Sequence, residues 1–106
     1  MYKYKQYNNF KELEKKNKKL AAELLYIFDS GDWMEEEIIL FNSKKDFALY
    51  ELQDGWFFDS FKEDYNGAPN PLEFINFRKF ANSLIDSWDE SNHYLTTDKK
   101  IVMTVQ

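Results

Sequence analysis

Residues 36–61 read Glu-Glu-Ile-Ile-Leu-Phe-Asn, Ser-Lys-Lys-Asp, Phe-Ala-Leu-Tyr-Glu-Leu-Gln, Asp-Gly, Trp-Phe-Phe-Asp-Ser-Phe, and the fold turns on how this stretch divides. Residues 36–42 are apolar on both faces in their second half, the pattern of a central strand covered on both sides. Residues 43–46 form a turn and residues 47–53 a second strand. Asp54-Gly55 is a hairpin signal, because a tight two-residue turn needs positive φ at its centre. Residues 56–61 then make a third strand. Short connections favour antiparallel neighbours, so the stretch predicts a three-stranded meander.

Upstream, Asn9 with Glu12 reads as an N-cap and its capping-box partner. Phe10, Leu13, Leu20, Leu24 and Ile27, widened by Ala21, Leu25 and Phe28, recur at helical spacing. Glu12 with Lys16 and Glu14 with Lys18 are i,i+4 pairs in the favourable order. Gly31 is a C-terminal stop after Asp29-Ser30, which sets a first helix over about residues 10–29. Before it, Tyr2 and Tyr4 alternate with Lys3 and Lys5 as on a short edge strand blunted by lysines. Downstream, residues 62–70 read as a loop. Asn70-Pro71-Leu72-Glu73 is a strong helix start, and Phe74, Phe77, Ala81, Leu84 and Trp88 carry a second helix over about 71–90. A turn at residues 97–100 and a strand from Ile101 to Val105 complete the chain. Together these elements predict one α+β domain over residues 1–106. Its form is a two-layer sandwich, an antiparallel sheet of the meander plus terminal strands with two amphipathic helices on one face.

Composition bounds the function classes. The chain has 106 residues, 19% aromatic and 31% charged. That size suits a single core without staples. The absence of cysteine rules out disulfides and thiolate metal sites. No run approaches the roughly 18 apolar residues of a membrane span, and residues 1–7 lack a signal-peptide core, so a cytoplasmic protein without membrane contact is expected. The net charge of −5 is uneven. Residues 1–20 hold seven Lys against two Glu, a net +5, while the rest holds seven basic against seventeen acidic residues, a net −10. An acidic body repels nucleic acid and attracts basic surfaces.

Catalytic equipment is sparse. His93 is the single histidine and reads as a solvated residue after the second helix. The three glycines are scattered, which excludes a phosphate-binding glycine loop. Carboxylates at Asp29/Asp32, Glu35/Glu37 and Asp86/Asp89/Glu90 could hold Mg²⁺ or act as acid and base, but none has a motif-grade frame. No cofactor, no metal and no enzymatic activity are expected. Tyr2, Tyr4 and the lysines at 3, 5, 11, 15, 16, 18 and 19 resemble a nucleic-acid contact in composition, yet an edge strand and a solvated helix face account for them, and the acidic body opposes a polyanion. Asn17 falls within the first helix's 3-4 apolar repeat where a coiled coil would place a polar register residue. The stripe is broad, so sheet packing is favoured over a homodimer.

Acids and aromatics interleave between Gly31 and Tyr65. Glu35, Glu36, Glu37, Asp54, Trp56, Asp59, Glu63, Asp64 and Tyr65 are the expected partner-binding residues, with Asp86, Asp89 and Glu90 as a possible extension. Strand residues two apart lie about 6.6 Å from each other, close to the phosphate repeat of a nucleic-acid strand, so Glu35 and Glu37 would match it if the strand began early. Trp56 and Tyr65 are residue types enriched at interface hot spots. Turns that collect Asp and strands that collect Trp and Phe give much the same pattern. The expectation is a non-catalytic inhibitor that docks on a basic, nucleic-acid-binding protein by DNA mimicry. In size, charge and character the chain is similar to phage anti-restriction and anti-CRISPR proteins, without a motif shared residue by residue. An immunity protein or antitoxin against a toxic nuclease, and a small carboxylate-dependent enzyme, are the alternatives.

Overall fold

A computed structural model describes residues 2–55 and 74–105. The alternating Tyr/Lys start forms strand β1, Tyr4–Tyr7, which pairs antiparallel with β2, Glu37–Phe41. Two further strands, β3 (His93–Leu95) and β4 (Ile101–Val105), complete a four-stranded antiparallel sheet of order β1-β2-β4-β3. The central position expected of β2 holds, as do the edge strand at the N-terminus and the strand at the C-terminus. The β3–β4 turn closes with the Thr96 amide on the Lys100 carbonyl and the Lys99 amide on the Thr96 carbonyl, with Lys99 left-handed at φ 68°.

The register sets two cores. Tyr7 faces Ile38, Ile38 faces Thr104, and Leu40 faces Val102, which faces Tyr94. These residues share one face of the sheet, since paired positions project alike. There they pack with Phe10 and Leu13 of helix α1 (Phe10–Lys16) and with Leu20, Ala21 and Leu24 of helix α2 (Lys18–Phe28). The opposite face carries Ile39, Phe41, Ile101 and Met103. It packs with Phe47 and Tyr50 of helix α3 (Lys44–Gln53) and Leu84 and Ile85 of helix α4 (Phe77–Ser87). The α+β class with an antiparallel sheet stands, but the helices lie on both faces rather than one. That arrangement explains why β2 and β4 are apolar on alternate residues of both sides.

Residues 43–55 depart from the expected turn, strand and hairpin. Residues 47–53 are not a strand but most of α3, so no meander forms through them. Ser43 is the N-cap: its hydroxyl accepts the Asp46 amide at 3.1 Å and donates to the Asp46 carboxylate at 2.7 Å. Ser-Lys-Lys-Asp is therefore an N-cap with the first turn of a helix rather than a connecting turn. Asp54-Gly55 ends this helix, both amides donating to the Tyr50 carbonyl at 2.8 Å. A Cβ on Gly55 would come within 2.9 Å of the Glu51 Cα, so close backbone approach, not a hairpin, requires the glycine. The expected third strand, residues 56–61, lies outside the described residues, as do the loop 62–70 and the Asn70-Pro71 start signal.

The first helix is two helices. Asn17 has φ −150° and ψ 78°; its side chain accepts the Leu20 amide while its own amide donates to the Leu13 carbonyl. It thus closes α1 and caps α2, the competition with helical bonding that short amide side chains offer. A continuous three-heptad seam does not exist, and Leu13, Leu20 and Leu24 are buried against the chain's own sheet. The stop after α2 is Asp29, at φ 58° and ψ 179°, whereas Gly31 is extended. The second long helix is shorter than expected. Within the described residues α4 opens at Asn76, whose side chain accepts the Lys79 amide, leaving Phe74 and Ile75 before it.

Candidate acidic binding surface

The structure sorts the acids by what they hold. Glu23 on α2 accepts the Tyr94 hydroxyl at 2.6 Å and the Thr97 amide at 3.0 Å, pinning the β3–β4 hairpin to the helix layer. The Asp46 carboxylate accepts the Lys3 amide at 2.9 Å and the hydroxyl of the α3 cap, Ser43, at 2.7 Å. Asp98 accepts the Thr96 hydroxyl at 2.5 Å, and that bond holds its carboxyl below the usual range. Glu12 pairs with Lys16 at 3.3 Å. Asp54 accepts the Tyr2 hydroxyl at 2.6 Å. Each of these charges has a structural employment that accounts for it.

Glu35, Glu36 and Glu37 have none: no hydrogen bond or ion pair engages their carboxylates among the described residues. A 3-10 turn over Asp32–Glu35 delivers them, anchored by the indole of Trp33, which is buried and donates to the Asp29 carbonyl at 2.7 Å. The Glu36 amide then donates to the Trp33 carbonyl, and Glu37 opens β2. With Asn8 and Val105 the three glutamates line a shallow depression of about 410 Å³. Glu35 lies in the turn and only Glu37 in the strand, so the two-apart strand spacing that would imitate phosphates does not arise.

Strand register shows what shares this end of the sheet. Glu37 pairs with Val105, and the Thr104 amide donates to the Asn92 carbonyl at 3.0 Å across the β4–β3 side. The 89–92 turn therefore lies two strands from Glu37, about 10 Å at the usual strand separation. Asp89 is held there by the Ser91 amide at 2.9 Å and hydroxyl at 2.7 Å, and those bonds lower its carboxyl below the usual range. Glu90 is exposed beside it, and Asp86 is exposed on α4. Asp54 does not join this end. Its partner Tyr2 packs on Tyr4 and Phe41, which pair at the opposite end of β2. Trp56, Asp59, Glu63, Asp64 and Tyr65 lie outside the described residues.

His93 corrects another expectation. It is half-buried on β3, stacked on Trp88 with ring centroids 5.1 Å apart and planes at 17°. No signal in the sequence marked β3 firmly enough to place it there. Among the described residues no cluster of His, Asp and Glu could hold a metal ion, and no helix is long and apolar enough to cross a membrane. No family model, curated protein or solved structure matches the chain.

Proposed function

We propose that the protein is a non-catalytic inhibitor that binds a basic, nucleic-acid-binding protein through the acidic end of its sheet and blocks that protein's groove. The carrying observation is the sorting of the carboxylates. Among the described residues the acids on which the fold depends are bonded, and no hydrogen bond or ion pair engages the carboxylates of the Glu35–Glu37 trio at one sheet end. Exposed charges of one sign steer a basic partner and set salt dependence more than they add affinity. With the strand spacing gone, the reading rests on charge and placement rather than on a copy of the phosphate repeat. Asp89 and Glu90 widen the surface; Trp56, Asp59, Glu63, Asp64 and Tyr65 remain proposed contacts on sequence grounds, in a cytoplasmic setting.

The test is inhibition of a captured partner. The immobilised protein is expected to retain one basic protein from cell extract, and the purified pair is expected to lose that protein's nucleic-acid binding. A partner that keeps its nucleic-acid affinity in the complex would overturn occlusion. Turnover of any substrate lost on a single Asp or Glu amide substitution would replace the inhibitor with a carboxylate enzyme.

A further inference from the structure

The outer side of α2 carries a row that is symmetric about its own midpoint. Lys18, Ala22, Leu25 and Asp29 follow one another at steps of four, three and four residues, so they run along one line of the helix surface. All four are exposed, and Tyr26, 85% exposed, stands beside them. The other side of the helix, with Leu20 and Leu24, is buried against the sheet. α2 lies across the sheet from α3 and α4, the two helices that residues 56–73 connect. Along the row, α1 and α2 leave an open groove of about 500 Å³. Its apolar side is Phe10, Ala21, Ala22 and Leu25, and its charged residues are Glu14, Lys15 and Lys18. Among the described residues no hydrogen bond or ion pair engages the Lys18 ammonium or the Asp29 carboxylate.

The order of residue types selects what covers this face. Lysine opens the row and aspartate closes it, with a small and a large apolar residue between. If a second α2 lies antiparallel on the first, a two-fold axis through the midpoint sets Lys18 of each copy against Asp29 of the other. The same axis sets Ala22 against Leu25, so the large side chain meets the small one and reaches towards the groove beside it. The negative end of each helix dipole, at Asp29, adds to the attraction for the opposing lysine. A parallel pair would place lysine on lysine and aspartate on aspartate, which charge forbids. An anionic lipid surface would attract Lys15 and Lys18, but Asp29, the exposed Asp32 and the net charge of −5 oppose it.

We propose that α2 docks antiparallel on α2 of a second copy of this chain, an isologous homodimer with two Lys18–Asp29 pairs around an Ala22–Leu25 centre. None of Glu35, Glu36 and Glu37 belongs to the row, so the dimer does not rest on the proposed inhibition. An 11-residue helix is about 17 Å long, so the interface is small. The dissociation constant is expected on the order of 10–100 µM.

The experiment is analytical ultracentrifugation of the whole protein from micromolar to about 1 mM. The weight-average mass is expected to rise from 12.8 kDa towards twice that value. Lys18→Glu alone and Asp29→Lys alone are each expected to weaken the dimer about tenfold, because each turns both exposed pairs repulsive. An equimolar mixture of those two variants is expected to restore it, since each introduced charge then faces its opposite in the other chain. Leu25→Glu gives a second break at an exposed site, with circular dichroism showing that it folds. A single 12.8 kDa mass at the highest concentration would overturn the proposal, whether or not the monomer binds anionic vesicles. So would a dimer that Leu25→Glu leaves intact, or a mixture of folded charge variants that associates no better than either alone.

Discussion

Asp29 occupies backbone space that side chains seldom visit, φ 58° with ψ 179°, at the end of α2. Such a conformation costs about 1–3 kcal/mol in a residue with a Cβ. It persists because its amide donates to the Leu25 carbonyl and its carbonyl accepts the Trp33 indole. Asp29→Gly relieves the strain and loses part of the gain to chain entropy. The net expectation is about 1 kcal/mol of added stability, read from urea unfolding. Tyr94 carries a second single-residue effect. Burial, then its bond to Glu23, pushes its phenol up to about 12. The folded state thus holds the proton more tightly than the unfolded chain. The stabilisation is complete below pH 10 and drains away as pH rises towards 12. Tyr94→Phe is expected to cost about 1–2 kcal/mol near neutrality and to flatten that alkaline decline; an unchanged decline would assign it to other groups.

At the scale of elements, α3 is the departure with most consequence. Ser43→Ala removes its cap and is expected to cost about 1 kcal/mol with loss of helical circular dichroism; residues 47–53 in a strand would leave the signal unchanged. Leu13→Ala, emptying a fully buried site between α1 and the sheet, is expected to cost about 3 kcal/mol. What was legible in the sequence follows from the kind of signal each segment carries. Strand β2, the C-terminal strand and the Asn9 cap announce themselves by local pattern, and all three stand. Phe-Ala-Leu-Tyr-Glu-Leu-Gln carries Ala, Leu, Glu and Gln, good helix formers, with a serine N-cap before it. Its aromatics and the adjacent Asp-Gly are strand and hairpin signals that conflict with those. Asn17 occupies a heptad position, yet its side chain's hydrogen bond to the Leu20 amide decides the local structure. The two-faced sheet was readable in β2 itself, since a strand apolar on both sides needs cover on both.

For the whole molecule, the site was half legible. The run Glu35–Glu37 stands out in sequence, but which acids are spent on the fold appears only with three dimensions. Asp54 and Glu23 look alike as letters and are both tied to tyrosines. The stacking of Trp88 on His93 joins the end of α4 to the sheet, a juxtaposition no spacing rule conveys. Charge at the sheet end predicts behaviour of the assembled protein. Raising salt from 50 to 500 mM shortens the screening length to roughly 4 Å and is expected to weaken partner binding about tenfold or more. The central claim is tested most directly by comparing partner affinity of the natural protein with that of a Glu35→Lys, Glu36→Gln, Glu37→Lys variant at low salt. None of these side chains makes a hydrogen bond or ion pair among the described residues, so the variant is expected to unfold at a temperature within a few degrees of the natural protein. Its affinity is expected to fall at least about a hundredfold, with the salt dependence largely gone. Undiminished affinity in a folded variant would contradict the account.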